Sequence, residues 1–455
     1  MGYVSSKFKS SVQEWHSWED EYSVEAMRLR YRGFHRIGFL VLDLSPKYAL
    51  LSVIMCVIAA AVLFIVSFCL TFSCYQMSDD FEDCSGVCNL GFLCVLAFSF
   101  LLNHNFYRKK ILDLHHMLGK GFHDYQEPQY FPDELEKFKK VVTKQNVALI
   151  ILASYVALIG FLVVVVCPLI DESLGFGWTE PYDENGVNRQ LPVPIWLPYP
   201  SHEGFLHWFS FLFLEGFGGA MICLSIGGTA LLFTCLSGGL MLEQKLLVLS
   251  IKSIEKRAKR RYRELHKGKP GIDEDGNKIA LNDDNKYQEC IGYCLRQNIL
   301  HHHKILTYTN HYLDLARSPL LFAFLVETMA IAMSMVKLNE GSNKWGANIA
   351  FACIAIAEVA NMIMLCVLGE LVTSGSIEIN DELYYTKWYT FNKSNKKVLL
   401  QFLLETRNPV VLAALGLVVC NMDQFSSVMH TAYSFFNMVK LSKLREETVT
   451  MGANT

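Results

Sequence analysis

The chain is short of charge. Only 19% of its 455 residues are Asp, Glu, Lys or Arg, while 52% are hydrophobic and 13% aromatic. A soluble protein of this length has a surface to cover with polar groups and does not keep so apolar an average. The formal net charge of −3 offers no broad positive field to a nucleic acid or another polyanion. Catalytic patterns are also missing. There is no Gly-x-Ser-x-Gly, no His-Glu-x-x-His, no Walker A and no Gly-x-Gly-x-x-Gly, so the expectation is a non-enzyme without a cofactor. The first 47 residues hold no apolar core and carry Lys7, Lys9, Arg28, Arg30, Arg32 and Arg36. No cleavable signal is expected there, and the first apolar span acts as the membrane signal.

What is present is a series of long apolar runs. About twenty such residues cross a bilayer as a helix. Seven stretches qualify: 48–74, 85–104, 146–170, 205–236, 316–337, 346–372 and 409–441. The last is interrupted by Asn421, Asp423 and Gln424. It reads as two pieces, a half-helix over 393–418 and a separate helix over 422–441. Non-helical backbone at membrane depth is tolerated where it is buried in protein or lines a cavity, so the break hints at a water path. Glu215, Glu327 and Glu358 lie inside spans. Each is there either to line a polar cavity or to bond one helix to another.

Basic residues orient these spans. Lys and Arg crowd the N-terminal segment and the loops after spans two, four and six, where Arg108, Lys109, Lys110, Arg257, Arg260, Arg261, Lys393 and Lys396 fall. The loop 75–84 has neither, and the loop 171–204 has only Arg189. The positive-inside rule then puts the N-terminus in the cytosol and the C-terminus outside, the inverse of a G-protein-coupled receptor. The expected organisation is a cytosolic segment 1–47, helices one to four over 48–236 with an outer loop 171–204, and a cytosolic helical region 237–315. Helices five and six follow over 316–372, a cytosolic loop and half-helix over 373–418, a last helix over 419–441 and an outer tail 442–455.

The connections carry weaker signals. Pro192, Pro194, Pro198 and Pro200, interleaved with Trp196 and Tyr199, predict a stiff extended lid. The basic run 256–269 reads as a solvated helix face, with calmodulin or acidic lipid as the alternative. Cys74, Cys84 and Cys88 sit near one outer loop, where a disulfide is left open. His301, His302 and His303 do not converge on one metal ion, because adjacent helical residues point about 100° apart. The acidic run from Asp273 to Asn277 lacks the frame of a calcium loop.

The C-terminal third carries a pattern. Gly369-Glu370-Leu371-Val372 is followed by Trp388-Tyr389, Arg407-Asn408-Pro409, Gly416 and Thr431-Ala432-Tyr433-Ser434-Phe435-Phe436. Together these resemble the insect odorant receptor family, and Pro194-x-Trp196 before span four is similar to it too. The resemblance is specific over roughly 369–440 and rests on topology alone over spans one to four. It implies an all-α, polytopic plasma-membrane protein with seven transmembrane helices in inverted topology and a split last helix. It further implies a subunit of a homotetramer, or of a heterotetramer with an odorant co-receptor, that conducts cations when a small volatile organic ligand binds. The alternatives are a gustatory receptor channel of the same architecture, a G-protein-coupled receptor and, more distantly, a transporter.

Helical geometry supplies a pore face. Ser434, Met438, Leu441 and Ser442 fall within an arc of about 100°, with Asn437 at its edge, and Lys440 lies about 200° from Met438. An apolar Met flanked by Ser suits a gate that closes by dewetting. The resemblance implies a ligand pocket among helices two, three, four and six. Residues of the outer halves of those spans are the candidates. They are Asn89, Phe92 and Leu93; Ser154, Tyr155, Leu158 and Phe161; Trp208, Phe211, Leu212 and Glu215; and Ala350, Phe351, Cys353, Ile354 and Glu358. Such a lining would hold ligands mainly by apolar burial.

Overall fold

The computed structural model describes residues 49–77, 81–122, 162–174, 186–188, 193–199, 204–266, 280–340 and 345–453, with isolated residues between 136 and 159 and at 191, 270, 271 and 278. The first two apolar runs form α1 (Ala49–Gln76) and α2 (Phe81–Phe106), followed by a short α3 (Arg108–Lys120). A π-turn over Leu162–Val166 leads into α4 (Cys167–Ser173), and β1 (Val187–Asn188) pairs antiparallel with β2 (Ile195–Trp196). Next, α5 (Gly204–Phe209) passes through a π segment, Ser210–Phe217, into α6 (Gly218–Lys252). Then come α7 (Ile254–His266), α8 (Asn285–Glu340), α9 (Trp345–Tyr384) and α10 (Lys393–Thr406). A hairpin of β3 (Ala413–Ala414) and β4 (Val418–Val419) precedes α11 (Met422–Ala453).

Among the described residues, five helices are long and apolar enough to span a bilayer: those at 56–76, 84–106, 205–252, 285–339 and 345–384. Span three is described only at scattered helical positions before the π-turn. At about 1.5 Å per residue, the 56 residues of α8 reach about 84 Å, far beyond a hydrocarbon core of about 30 Å. Much of that helix therefore projects past the membrane. Pro319 lies inside it and cannot bond the carbonyl of Leu315 four residues earlier. Asn103 of α2 donates to that carbonyl at 3.4 Å.

The projecting parts of α6, α8 and α9 form a densely bonded unit with α7 and α10. Tyr308 Oη donates to the Leu236 carbonyl at 3.0 Å, and Tyr312 shares a hydrogen bond with Ser237 at 2.9 Å. Gln288 and Asn395 tie α8 to α10, with Asn395 Nδ2 donating to the Gln288 carbonyl at 2.8 Å. His301 meets Glu243 at 3.0 Å, His302 packs its ring on Phe402, and His303 is exposed. The basic run is not simply a solvated face. Arg257 is buried and donates to Gln297 at 2.5 Å and to Asn298 at 3.1 Å, while Arg261 lies 3.5 Å over the Tyr293 ring. Guanidinium groups supply several fixed donors and stack on aromatic faces, and their partners lie on α8, distant in sequence.

The break before the last helix differs in detail from the expected half-helix. α10 ends at Thr406 instead of running on to 418, because Pro409 bars the helical conformation of the residue before it. The chain then turns in the β3–β4 hairpin, where Leu415 and Gly416 have φ of 49° and 72°. Positive φ at both central residues is what a tight hairpin turn of this hand requires. The Asn421 side chain accepts from Gln424 N at 2.8 Å and caps α11. That helix runs to Ala453, past the expected boundary at 441.

Candidate functional site

A cavity of about 100 Å³ lies among the ends of the helices beneath the β1–β2 loop. Val66 and Leu70 of α1 face Leu90, Leu93 and Cys94 of α2. Ile159 and Val163 close one side, Leu214, Glu215, Gly219, Ile222 and Cys223 a second, and Ile354 of α9 a third. Val193 and Ile195 form the cover. The cover is seated, not loose: Val187, Leu191, Ile195 and Leu197 are buried in one apolar cluster with α1 and α2. The Trp196 amide donates to Ser73 Oγ at 2.6 Å, and its indole lies 4.4 Å from the Phe72 ring.

Almost the whole lining is hydrocarbon. Glu215 is the exception, a buried carboxyl whose two oxygens find no hydrogen-bonding side chain among the described residues. A molecule held here gains mainly from burial, about 25 cal/mol per Å² of apolar surface. For scale, an apolar cavity of about 150 Å³ accommodates benzene. At about two thirds of that volume, the space suits a small apolar molecule and makes few directional demands.

Of the residues expected at the pocket, Leu93, Glu215 and Ile354 line this cavity. Phe92, Tyr155 and Cys353 are half-buried against the main core, and Ala350 is buried. Phe351 packs its ring on Gly86 of α2. Phe211 packs in the cluster under the lid, while Leu158, Trp208 and Leu212 are exposed on the outside of the chain. Ser154 and Phe161 lie outside the described residues. The contributions of span one and of the lid were missed. The lid had a signal: Val193 and Ile195 are apolar positions within a loop of prolines and polar residues.

Asn89 and Glu358 bond to each other instead of lining the cavity. Asn89 Nδ2 donates to Glu358 Oε1 at 2.8 Å and reaches Ser334 Oγ and the Ala330 carbonyl at 2.9 and 2.8 Å. Ser334 donates to the other Glu358 oxygen at 2.9 Å, and Asn361 to Glu327 at 2.5 Å. This polar layer joins α2, α8 and α9 one helical turn from Ile354. Removing one partner from a buried pair costs about 1–3 kcal/mol. Asn89→Leu is therefore expected to lower the thermal midpoint of detergent-solubilised protein, and adding Glu358→Leu should recover part of it. An Asn89→Leu protein as stable as the wild type would remove this role.

The last helix has two unlike faces. Ala432 is sealed against Ile331 and Ala332 of α8, with Met429 and Phe435 packed beside it. Ser434, Met438, Leu441 and Ser442 are exposed, Met438 at 58% and Leu441 at 66%, and Asn437 is intermediate. Lys440 turns toward the chain's own α8, where Nζ lies 3.4 Å from Asn339 Oδ1.

A family model described as 7tm Odorant receptor matches residues 80–433. Odorant receptor 67c of Drosophila melanogaster is 22% identical over 142 residues, 31% of this chain and 35% of that protein. Odorant receptor 10a of the same fly is 24% identical over 147 residues, 32% and 36% of the two chains. The matched stretch thus spans about a third of the length of these curated relatives. The insect olfactory receptor OR5 from Machilis hrabei in complex with eugenol has the same fold, with a TM-score of 0.67 at 11% identity over 90% of this chain and 98% of that one. The structure of the same receptor reported without mention of a ligand gives 0.67 at 10% identity, over 91% and 98%.

Proposed function

Because the chain belongs to the seven-transmembrane odorant receptor family, we propose that this multi-pass membrane protein is a subunit of an odorant-gated, non-selective cation channel at the plasma membrane. The observation that carries the channel reading is the bare face of α11. An apolar Met438 and Leu441 flanked by Ser434 and Ser442 stay uncovered while the opposite face is sealed on α8. Four such faces around an axis make a pore with an apolar constriction, and the exposed Lys440 reaches toward Asn339 of its own α8. The tetramer is formed by four copies of this chain or with a co-receptor, and the N-terminus is cytosolic.

The ligand occupies the cavity under the lid. It opens the pore only to the extent that it binds the open state better than the closed one. Broad tuning toward small apolar volatiles follows from the hydrocarbon lining.

The test is whole-cell recording from cells expressing the chain alone or with a co-receptor, during exposure to a panel of small volatiles. Ligand-evoked cation current is the expected result. Its absence in both settings, with surface expression confirmed, would falsify the proposal. A cavity variant separates binding from conduction. Ile354→Trp places an indole where the cavity has about 100 Å³, and is expected to raise the half-maximal ligand concentration at least about ten-fold, a loss of about 1.4 kcal/mol. Single-channel conductance should not change. An unaltered dose–response would move the ligand site elsewhere.

A further inference from the structure

Three thiols meet where α1 ends and α2 begins. Cys74 lies in the last turn of α1, and Cys84 and Cys88 face the same way on the first turns of α2, four residues apart. Cys74 Sγ is 3.0 Å from Cys88 Sγ, and Cys84 Sγ is 3.9 Å from Cys88 Sγ. All three sulfur atoms lie within 4.8 Å of one another. We propose that Cys74 and Cys88 form a disulfide that ties the outer ends of α1 and α2 together under the lid, with Cys84 retained as a neighbouring thiol.

The distances rank the pairs. At 3.0 Å, small side-chain rotations bring Cys74 and Cys88 to the bonding separation of about 2.05 Å. The Cys84–Cys88 pair is farther apart and would link a helix only to itself. A metal ion fits less well, because thiolates about 2.3 Å from zinc in tetrahedral or trigonal geometry stand roughly 4 Å apart, wider than the 3.0 Å pair. The side of the membrane also favours oxidation. The loop 75–84 lacks Lys and Arg, which assigns it to the outside, where disulfides persist. This inference rests on the orientation proposed above.

The reaction is exchange with a disulfide-bearing thiol oxidoreductase or an oxidised small thiol of the secretory pathway. The two cysteines together give up two electrons and two protons and form one S–S bond. The donor disulfide breaks and leaves as two thiols.

The position gives the bond a task. Cys74 follows Ser73, whose hydroxyl accepts the Trp196 amide, and Cys88 lies two residues before Leu90, which lines the cavity together with Val66 and Leu70 of α1. A Cys74–Cys88 bond holds two cavity walls and the seat of the lid in fixed relation.

The experiment uses the full chain in cell membranes. Accessible and buried thiols are alkylated in denaturant without reductant, and the protein is digested for mass spectrometry. The expected product is a cross-linked peptide pair joining Cys74 to Cys88, with Cys84 alkylated. Alkylation of all three overturns the proposal, as does a bond that includes Cys84. Protection that is lifted by a chelator overturns it in favour of a metal site. A tag on the N-terminus, probed from outside intact cells, separates the premises: alkylated thiols with an inaccessible tag reject the disulfide alone, while an accessible tag rejects the orientation as well. In recordings, external phosphine reductant is expected to raise the half-maximal ligand concentration several-fold in wild type and to leave Cys88→Ser unchanged; an equal response of the two overturns the assigned task. A linked peptide without any ligand-evoked current keeps the disulfide and rejects the channel.

Discussion

Gly369→Ala is expected to destabilise the protein by about 3 kcal/mol or more, enough to lower the yield of folded protein sharply. A Cβ at Gly369 would stand 2.0 Å from the Cys420 carbonyl oxygen, 2.5 Å from its Cβ and 2.8 Å from its carbonyl carbon. Overpacking a well-filled core costs typically 1–3 kcal/mol when side chains can shift. Here the obstacle is backbone, and the backbone is held. Cys420 is buried, its amide donates to the Leu412 carbonyl at 2.9 Å, and the next residue, Asn421, caps α11. Relief therefore requires moving the entry of the last helix away from α9. Gly239→Ala is the informative control, since the nearest atoms to its Cβ would be the two methyls and Cγ of the flexible Leu118 side chain, at 2.5, 2.7 and 3.1 Å, and not backbone. Fluorescence-detected size exclusion after a heating series compares the two. A Gly369→Ala protein that survives heating as well as Gly239→Ala would mean that the hairpin yields more easily than its bonds suggest.

That close approach shows which parts of this molecule can be read from its residues. Membrane helices can, because a bilayer demands about twenty apolar residues in a row and nothing distant has to be known. α1, α2, α6, α8 and α9 follow from that rule. The split before the last helix was also legible from Asn421, Asp423 and Gln424, but where the half-helix ends depends on Pro409 and on Val410, whose amide donates to Ser376 Oγ of α9 at 2.9 Å. Arg257 was illegible for the same kind of reason. Nothing in the run from Lys256 to Arg263 distinguishes it from its neighbours until α8 brings Gln297 and Asn298 to it.

The cavity divides along that line. A single face of span two or span six is visible as periodic apolar residues, and Leu93 and Ile354 came from such faces. Which face meets which is a matter of helix rotation, and so Trp208 and Leu212, chosen from the right segment, lie on the outside. The π segment Ser210–Phe217 is one cause. Wider turns between Trp208 and Glu215 change the rotation of one relative to the other from the α-helical count, and a helix wheel drawn through them misplaces the faces. Glu358 was recognisable as a costly group inside a span, whereas Asn89 was expected only at the pocket. Their satisfaction by each other needed the packing of α2 on α8 and α9.

Met438→Ser is expected to produce current without ligand, with basal conductance raised at least about ten-fold, while the half-maximal ligand concentration changes little. On the channel reading, four Met438 side chains form the narrowest apolar ring, and a ring of that kind blocks ions by expelling water and not by filling the space. A hydroxyl in place of the thioether is shorter and wettable, so the barrier falls even in the closed arrangement. The cavity stands apart from this change, since none of its lining residues belongs to α11. Folding should be spared as well: Met438 is 58% exposed, and the packing that seats the helix runs through Ala432, Met429 and Phe435 on the other side. Ser434→Ala and Ser442→Ala are expected to act more weakly, and Ser442 Oγ already donates to the Met438 and Val439 carbonyls of its own helix at 3.2 and 2.9 Å. Lys440→Gln should alter neither basal current nor cation preference, because the ammonium turns toward Asn339. Patch-clamp recording of leak and ligand-evoked current in the same cells measures each of these. Silent basal current in Met438→Ser, together with a changed current in Lys440→Gln, would rotate the pore face by half a turn and remove Met438 as the gate.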